Sequence, residues 1–411
     1  MIFIYNILVY IAGGLLRIVA LFNEKLQRFI HGRKGVFEFL EKQLDKEKPV
    51  IWFHTASLGE FEQGLPVMEQ VKTQFPKHQL LVTFFSPSGY EVKKEHPVAA
   101  IITYLPLDTQ KNAARFLDIV KPELAIFIKY EFWPNYLLEI HKRNIKTLMV
   151  SAIFRKDQAF FKWYGSFMRK SLKAISHFFV QDNPSKALLN SIGIDNVTVS
   201  GDTRFDRVSE ILDRDNTLDF VDQFKQNKPC MVAGSTWPED EKLLVSYLNN
   251  EMPKDVKCII APHTIKPARI QALKASIDRK TILYSEREGK NLADYDVLII
   301  DIIGLLTKVY SYADVAYVGG GMGTSGLHNT LEPAVFGIPV VIGNNYQGFK
   351  EAEELVALGG IIPVWDATTF KAAFTPFLKD DVFREKIGNL NAEYIAKHKG
   401  ASRKVMAYLT Q

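Results

Sequence analysis

From Pro49 onward, short apolar runs alternate with amphipathic segments. PVIWFH predicts a strand, TASLGE a loop and Glu60–Gln74 a helix. QLLVTFF predicts the next strand, ended by the turn SPSG. LAIFIKY predicts a strand followed by a helix from about Phe132. KTLMVSAI and ISHFFVQ predict two more, with the helical, aromatic-rich stretch FFKWYGSFMRKSLK between them. Continuous apolar strands separated by helices indicate a parallel sheet covered on both faces. The pattern weakens between Arg204 and Pro229, where polar and charged residues predominate, and the linker between domains is expected there. The alternation then restarts: PCMVAG, KCIIAP, DVLIID, DVAYVGG and IPVVIG predict parallel strands, with helices at about Pro238–Asn249, Pro267–Ser276 and Leu327–Phe336. The fold class expected is α/β, with two doubly wound units in tandem and a ligand at the carboxyl ends of strands, in the cleft between the units. The expected boundaries are 1–34 for an N-terminal segment, 35–210 for the first unit and 225–411 for the second. The last helix is free to pack back on the first unit.

The first 22 residues, MIFIYNILVYIAGGLLRIVALF, stand apart. Asn6 and Arg17 are the only strongly polar side chains in them, and Lys25, Arg28, Arg33 and Lys34 follow with only Glu24 opposed. A signal peptide would place positive charge before the apolar stretch and a small-residue cleavage site after it. A membrane-spanning helix needs about 20 apolar residues. An interfacial helix and a buried core helix would use the same residues. In the membrane-bound readings the basic flank faces the cytoplasm, which puts the rest of the protein on the cytoplasmic side of the membrane.

Composition narrows the classes. The 411 residues are 47% hydrophobic and 24% charged, with a net charge of +5. That is too mild a bias for a dedicated nucleic-acid binder, but it suits a membrane surface or an anionic substrate. Cys230 and Cys258 each lie in an apolar run and are expected to be buried free thiols rather than a disulfide framework or a zinc site.

Candidate chemistry gathers at predicted strand ends. In HTASLGE, Ala56, Ser57 and Gly59 permit a tight turn and close ligand approach. Glu60 is either a carboxylate favoured by the helix dipole or a general base aimed into the cleft. In YEFWPN, Glu131 sits beside Trp133 and a proline suited to a first helical turn. In AGSTWPEDEK, Gly234 ends a strand, and Ser235 and Thr236 precede a helix, as an ordinary cap or as phosphate ligands. IIAPHT places His263, with Lys266, where an anion would meet it. The richest run is YVGGGMGTSGLHNTLEPAVFGIPVVIG. It has glycines from Gly319 to Gly326, Asn329 and Thr330 to cap a helix, and Glu332 within reach of a ribose diol. It is not a P-loop, since no GKS or GKT ends it. Phe160, Phe161, Trp163, Tyr164 and Phe167, interleaved with Lys162, Arg169, Lys170 and Lys173, form either core with a solvated face or a lipid-contacting patch.

Together these runs resemble the Kdo (3-deoxy-D-manno-octulosonic acid) transferases of lipopolysaccharide synthesis. WFHTASLGE, SPSGYE, YLPLD, EFWPN, SAIFRK, VSGDTRFD, AGSTWPEDE, IIAPH and HNTLEPAVFGIPVVIG occur in one order from Trp52 to Gly343. The resemblance implies the two-domain B-type glycosyltransferase fold and an inverting transfer of Kdo from CMP-Kdo to the lipid A precursor. It also implies attachment to the cytoplasmic face of the membrane, no metal and no other cofactor. It makes Glu60 the general base and Glu131 a second acidic site residue. Ser57, Gly59, Arg155 and Arg204 are implied on the substrate side. Gly234, Ser235, Thr236, Pro262, His263, Gly320, Gly321, Asn329, Thr330 and Glu332 are implied around the nucleotide. The chain departs from the family's pattern at His263, where arginine usually follows the proline, and at Ile153, where an arginine is common and Arg155 is the substitute at hand. It also has Arg204 where lysine is usual, and GTSGLHNTLE in place of a glycine-histidine-asparagine form. A UDP-sugar 2-epimerase of the same fold and a membrane-tethered binding protein with a decayed site are the competing functions.

Overall fold

The computed structural model describes residues 2–411, which form two compact units, residues 2–207 with 399–411 and residues 208–398. In the first unit β1 (Val50–Thr55), β2 (Gln79–Phe84), β3 (Ile101–Tyr104), β4 (Pro122–Ile128), β5 (Lys146–Ala152), β6 (His177–Val180) and β7 (Val197–Val199) form one parallel sheet in the order β3-β2-β1-β4-β5-β6-β7. The winding reverses between β1 and β4. Every residue of β1 and β2 is buried, because helices cover both faces.

The second unit repeats the plan. β8 (Cys230–Thr236), β9 (Lys257–Pro262), β10 (Thr281–Leu283), β11 (Val297–Ile299), β12 (Val315–Val318), β13 (Val340–Gly343) and β14 (Ile361–Val364) run in the order β10-β11-β9-β8-β12-β13-β14, all parallel. Here the reversal lies between β8 and β12. Cys230 and Cys258 are buried free thiols.

The ten strands expected from apolar runs are all present. The four that the pattern did not predict, β3, β7, β10 and β14, are the four sheet edges, each only three or four residues long. An edge strand needs few residues, and β14 even holds Pro363, whose missing N–H is tolerated only where no neighbour requires it. The helix expected over Leu327–Phe336 is shorter, Leu331–Ala334. The stretch expected as a linker contains two short helices, Thr203–Ser209 and Asp219–Lys225.

The chain's last helix, Ala401–Leu409, packs in the first unit, with Val405 and Met406 in the same core as Leu65 and Met68. Asp206 holds its start: the carboxylate accepts from Gly400 N at 2.5 Å and Ser402 N at 2.8 Å, satisfying N–H groups that a helix start leaves open.

The apolar N-terminus is one helix, Ile2–Val19, extended by a 3₁₀ turn, Ala20–Phe22. It is long and apolar enough to cross a membrane. The core-helix alternative does not hold: Phe3, Ile4, Leu8, Ile11, Leu15 and Ile18 are exposed, and Phe22 is 86% exposed. Its polar residues dock it on the first unit. Tyr5 Oη donates to Asp108 Oδ2 at 2.6 Å, and Asn6 Oδ1 accepts from Asn135 Nδ2 at 2.8 Å.

Candidate active site

In the first unit, the carboxyl ends of β1 and β4 flank the point where the winding reverses, and helices diverge there to leave room for a ligand. The chain leaves β1 through Ala56 and Ser57 and enters the helix Leu58–Gln74. Ser57 is the N-cap, and Glu60 lies three residues on. Glu60 Oε2 accepts from Ser57 N at 2.7 Å and Ser57 Oγ at 2.8 Å. This is the reciprocal cap of a Ser-x-x-Glu sequence, so the bland role foreseen for Glu60 is real. It leaves the other carboxylate oxygen available. Glu60 is only 7% exposed. Burial, then the negative charge of Glu131, raises its pKa above the usual carboxylate range, against the lowering effect of Ser57 and Lys129. A raised carboxylate pKa is what a base working near neutral pH requires.

Glu131 follows β4 after Lys129, a non-glycine residue at φ +71°. Such a conformation costs of order 1–3 kcal/mol and persists where its surroundings enforce it. Trp133 Nε1 donates both to Glu131 Oε2 at 3.0 Å and to His54 Nε2 at 2.9 Å. An indole N–H only donates, so His54 Nε2 carries a lone pair and the ring proton sits on Nδ1. That nitrogen bonds Thr83 Oγ1 at 2.9 Å, which also accepts from Trp52 Nε1 at 2.8 Å. His54 is fully buried. The chain Thr83–His54–Trp133 thus fixes where the Glu131 carboxylate points. The sequence placed Trp133 beside Glu131 but did not connect either to His54; a histidine ending an apolar strand and a tryptophan two residues after a glutamate were the available signals.

The substrate-side residues divide. Gly59 is exposed, and a Cβ there would meet nothing nearer than Ser57 Oγ at 4.0 Å; the turn does not demand glycine, and the space is open. Arg204 Nε pairs with Asp202 Oδ2 at 2.9 Å, and Asp202 accepts from Gln63 Nε2 at 2.7 Å, one turn beyond Glu60. Arg155 is exposed just past β5, and Ile153 beside it is half-buried.

In the second unit, β8 extends through Thr236, so Trp237, not Ser235 or Thr236, is the N-cap of the helix Pro238–Asn250. The Thr236 hydroxyl is buried and donates to Glu241 Oε1 at 3.0 Å, so it does not face a ligand. Ser235 has φ +54°. Asp240 is fully buried and accepts from Trp237 N at 2.8 Å, Gly320 N at 2.8 Å and Tyr317 Oη at 2.7 Å. It ties the helix start to the glycine loop. Gly320, at φ +93°, admits no side chain, because a Cβ would lie 2.1 Å from Gly326 O. Gly321 packs against Gly343, and a Cβ on Gly234 would strike the Tyr310 hydroxyl. These glycines admit protein first. Pro262 ends β9, buried, and His263 follows it, exposed. Of the two expected caps only Asn329 acts, its Oδ1 accepting from Leu331 N at 3.2 Å; Thr330 is buried with no capping bond. Glu332 accepts from Thr307 Oγ1 at 3.0 Å and Asn329 Nδ2 at 3.1 Å. Trp237, Asp240 and His328 were not foreseen as site residues.

Comparison with known proteins shows what the chain is similar to. The family described as 3-Deoxy-D-manno-octulosonic-acid transferase (kdotransferase) matches residues 27–207. The 3-deoxy-D-manno-octulosonic acid transferase of Haemophilus influenzae is 28% identical over 374 residues, covering 87% of this chain and 86% of that one. The Chlamydophila psittaci enzyme of the same name is 28% identical over 351 residues, covering 81% and 79%. Among solved structures, the UDP-GlcNAc 2-epimerase of Neisseria meningitidis bound to UDP-GlcNAc aligns with a TM-score of 0.61 at 16% identity, covering 88% of this chain and 99% of that one. That likeness is one of fold, the two-domain architecture of B-type glycosyltransferases. With two carboxylates converging where β1 and β4 part, the chain is similar to the 3-deoxy-D-manno-octulosonic acid transferases over most of its length, and residues 27–207 match the model of that family.

Proposed function

We propose that the chain transfers Kdo from CMP-Kdo to a hydroxyl of the lipid A precursor, with inversion, and that Glu60 is the general base. The observation that carries this reading is the buried pair Glu60 and Glu131 at the switch point of the first unit, with Glu60 raised in pKa by burial and by its neighbour. The acceptor oxygen attacks the anomeric carbon of Kdo, and its proton passes to Glu60. The bond from that carbon to the CMP phosphate breaks, and its electron pair leaves with CMP. Positive charge develops on the sugar in the transition state, so the Glu131 carboxylate, fixed by Trp133, stabilises it. The second unit supplies the donor residues: the glycine loop, Asn329 and Glu332, and the exposed His263. Release of CMP that depends on the acceptor tests this reading. Interconversion of a UDP-sugar without acceptor would indicate the epimerase instead.

Glu131→Gln should lower the rate and also move the acid limb of the pH–rate profile. Removing the neighbouring negative charge lowers the Glu60 pKa, so Glu60 stays deprotonated to lower pH and the residual activity persists further into acid. An acid limb that stays in place would remove Glu131 as a determinant of the base.

We place the enzyme on the cytoplasmic face of the inner membrane, held there by the helix Ile2–Val19. Its exposed apolar side chains, the basic residues after it, and Trp163, 90% exposed among Lys162, Arg169 and Lys170, support that reading. Tyr5 and Phe167 rings lie 6.0 Å apart, linking helix and patch. The triple change Ile4→Glu, Leu8→Glu and Leu15→Glu should abolish co-sedimentation with anionic phospholipid vesicles and leave the melting temperature nearly unchanged, since all three are exposed. Retained co-sedimentation would move the attachment elsewhere.

A further inference from the structure

At the carboxyl ends of β8 and β9 three rings form a compact cluster that the proposed reaction does not by itself require. Trp237 and His328 are nearly coplanar, 16° apart, and joined edge to edge by a bond from Trp237 Nε1 to His328 Nε2 at 2.9 Å. His263 lies over their seam, its ring centroid 4.5 Å from each, and stacks on Trp237 at 20°. The His263 backbone is pinned by its N–H donating to Thr236 O at 3.0 Å. The ring is therefore held by its face, and among the described residues neither of its nitrogens has a hydrogen-bond partner.

The charged groups around it explain its protonation state. From the helix Pro238–Asn250, Asp240 is committed to three donors. Glu241 is committed to Thr236 and to Arg269 Nη2 at 3.0 Å. Glu239 lies against Gly323. From its own side come Lys266 and Arg269, and from the glycine loop His328. Two imidazoles at this separation resist both being charged. Burial, then Arg269, lowers the His263 pKa, and burial, then His263, lowers that of His328.

We infer that His263 is a ligand of the donor's phosphate that becomes charged only as the nucleotide binds, with Trp237 and His328 holding its ring in place. This rests on the CMP-Kdo reading of the second unit. An arriving phosphate supplies the counter-charge that the neighbouring carboxylates withhold, which raises the His263 pKa in the complex. Nucleotide binding then takes up a proton. Affinity is highest below the free-state pKa and falls as pH rises through the bound-state pKa, by up to about tenfold per pH unit between the two. When the bond to Kdo breaks, the phosphate gains a charge, and the imidazolium is in place to stabilise it.

The test is calorimetric titration of the full chain with CMP at pH 7.5 in two buffers of different ionisation enthalpy, for the wild type and for His263→Arg. His263 is exposed, so arginine is accommodated without repacking, and thermal melting checks the fold. The wild type is expected to show a buffer-dependent enthalpy reporting proton uptake. His263→Arg should bind CMP with that uptake removed, and His263→Asn should bind more weakly. Comparing the proteins separates the protein's proton from that of the CMP phosphate, whose own second pKa is about 6. Equal proton uptake in wild type and His263→Arg would overturn the inference, and with transfer activity intact the transferase reading would stand. A wild-type chain that transfers Kdo to no acceptor and binds no CMP would overturn both.

Discussion

Glu60→Gln is expected to lower kcat by roughly 10²- to 10⁴-fold, the usual contribution of a positioned general base, while leaving the fold and CMP affinity close to wild type. The amide cannot accept a proton from the acceptor hydroxyl. It can still accept from Ser57 N and Ser57 Oγ, because glutamine serves at the third position of this cap as glutamate does. The helix Leu58–Gln74 therefore keeps its start. The residues assigned to the donor lie in the second unit and are untouched. Steady-state rates beside a CMP titration and a melting curve separate chemistry from binding and folding. A kcat within about threefold of wild type would exclude Glu60 as the base.

Asp240→Ala is expected to be the most damaging single change in the second unit. Asp240 gathers three donors, Trp237 N, Gly320 N and Tyr317 Oη, at a fully buried position. Leaving buried donors unsatisfied costs about 1–3 kcal/mol each, and relaxation recovers part of that, so a loss on the order of 3–5 kcal/mol is expected. Because the same carboxylate joins the start of the helix Pro238–Asn250 to the glycine loop, CMP affinity should fall with stability. Asp240→Asn keeps the shape and should lose less. Urea unfolding and CMP titration measure both. A loss below about 1 kcal/mol would show that water replaces the carboxylate.

What the sequence made legible follows from where each residue sits. Central strands such as VIWFHT and CMVAGST begin with four or five apolar residues in a row because both faces are covered, and such a continuous run stands out. The edge strands IITY, VTV, TIL and IIPV are too short to separate from loops. Glu131 could be named because it follows an apolar run directly, and Glu60 because it sits at the helix start just after one. Their mutual influence could not, because it depends on β4 pairing with β1 rather than with β3. Thr236 resembled a phosphate ligand in sequence, but the strand runs two residues further than expected and the Thr236 hydroxyl turns inward to Glu241. Asp240 read as one acid among several in PEDEK; its importance comes from Tyr317 and Gly320, about 80 positions away, brought alongside by the pairing of β8 with β12. Trp237 and His328 are likewise 91 residues apart. Local pattern carries strands and caps, whereas a site assembled from several strand ends depends on the strand order.

The decisive experiment on the proposed Kdo transfer is mass spectrometry of a lipid A precursor after incubation with the purified full chain and freshly generated CMP-Kdo. A mass gain of one or more Kdo units is expected with wild type and almost none with Glu60→Gln. An unmodified precursor with wild type, under conditions where the protein binds CMP, would contradict it.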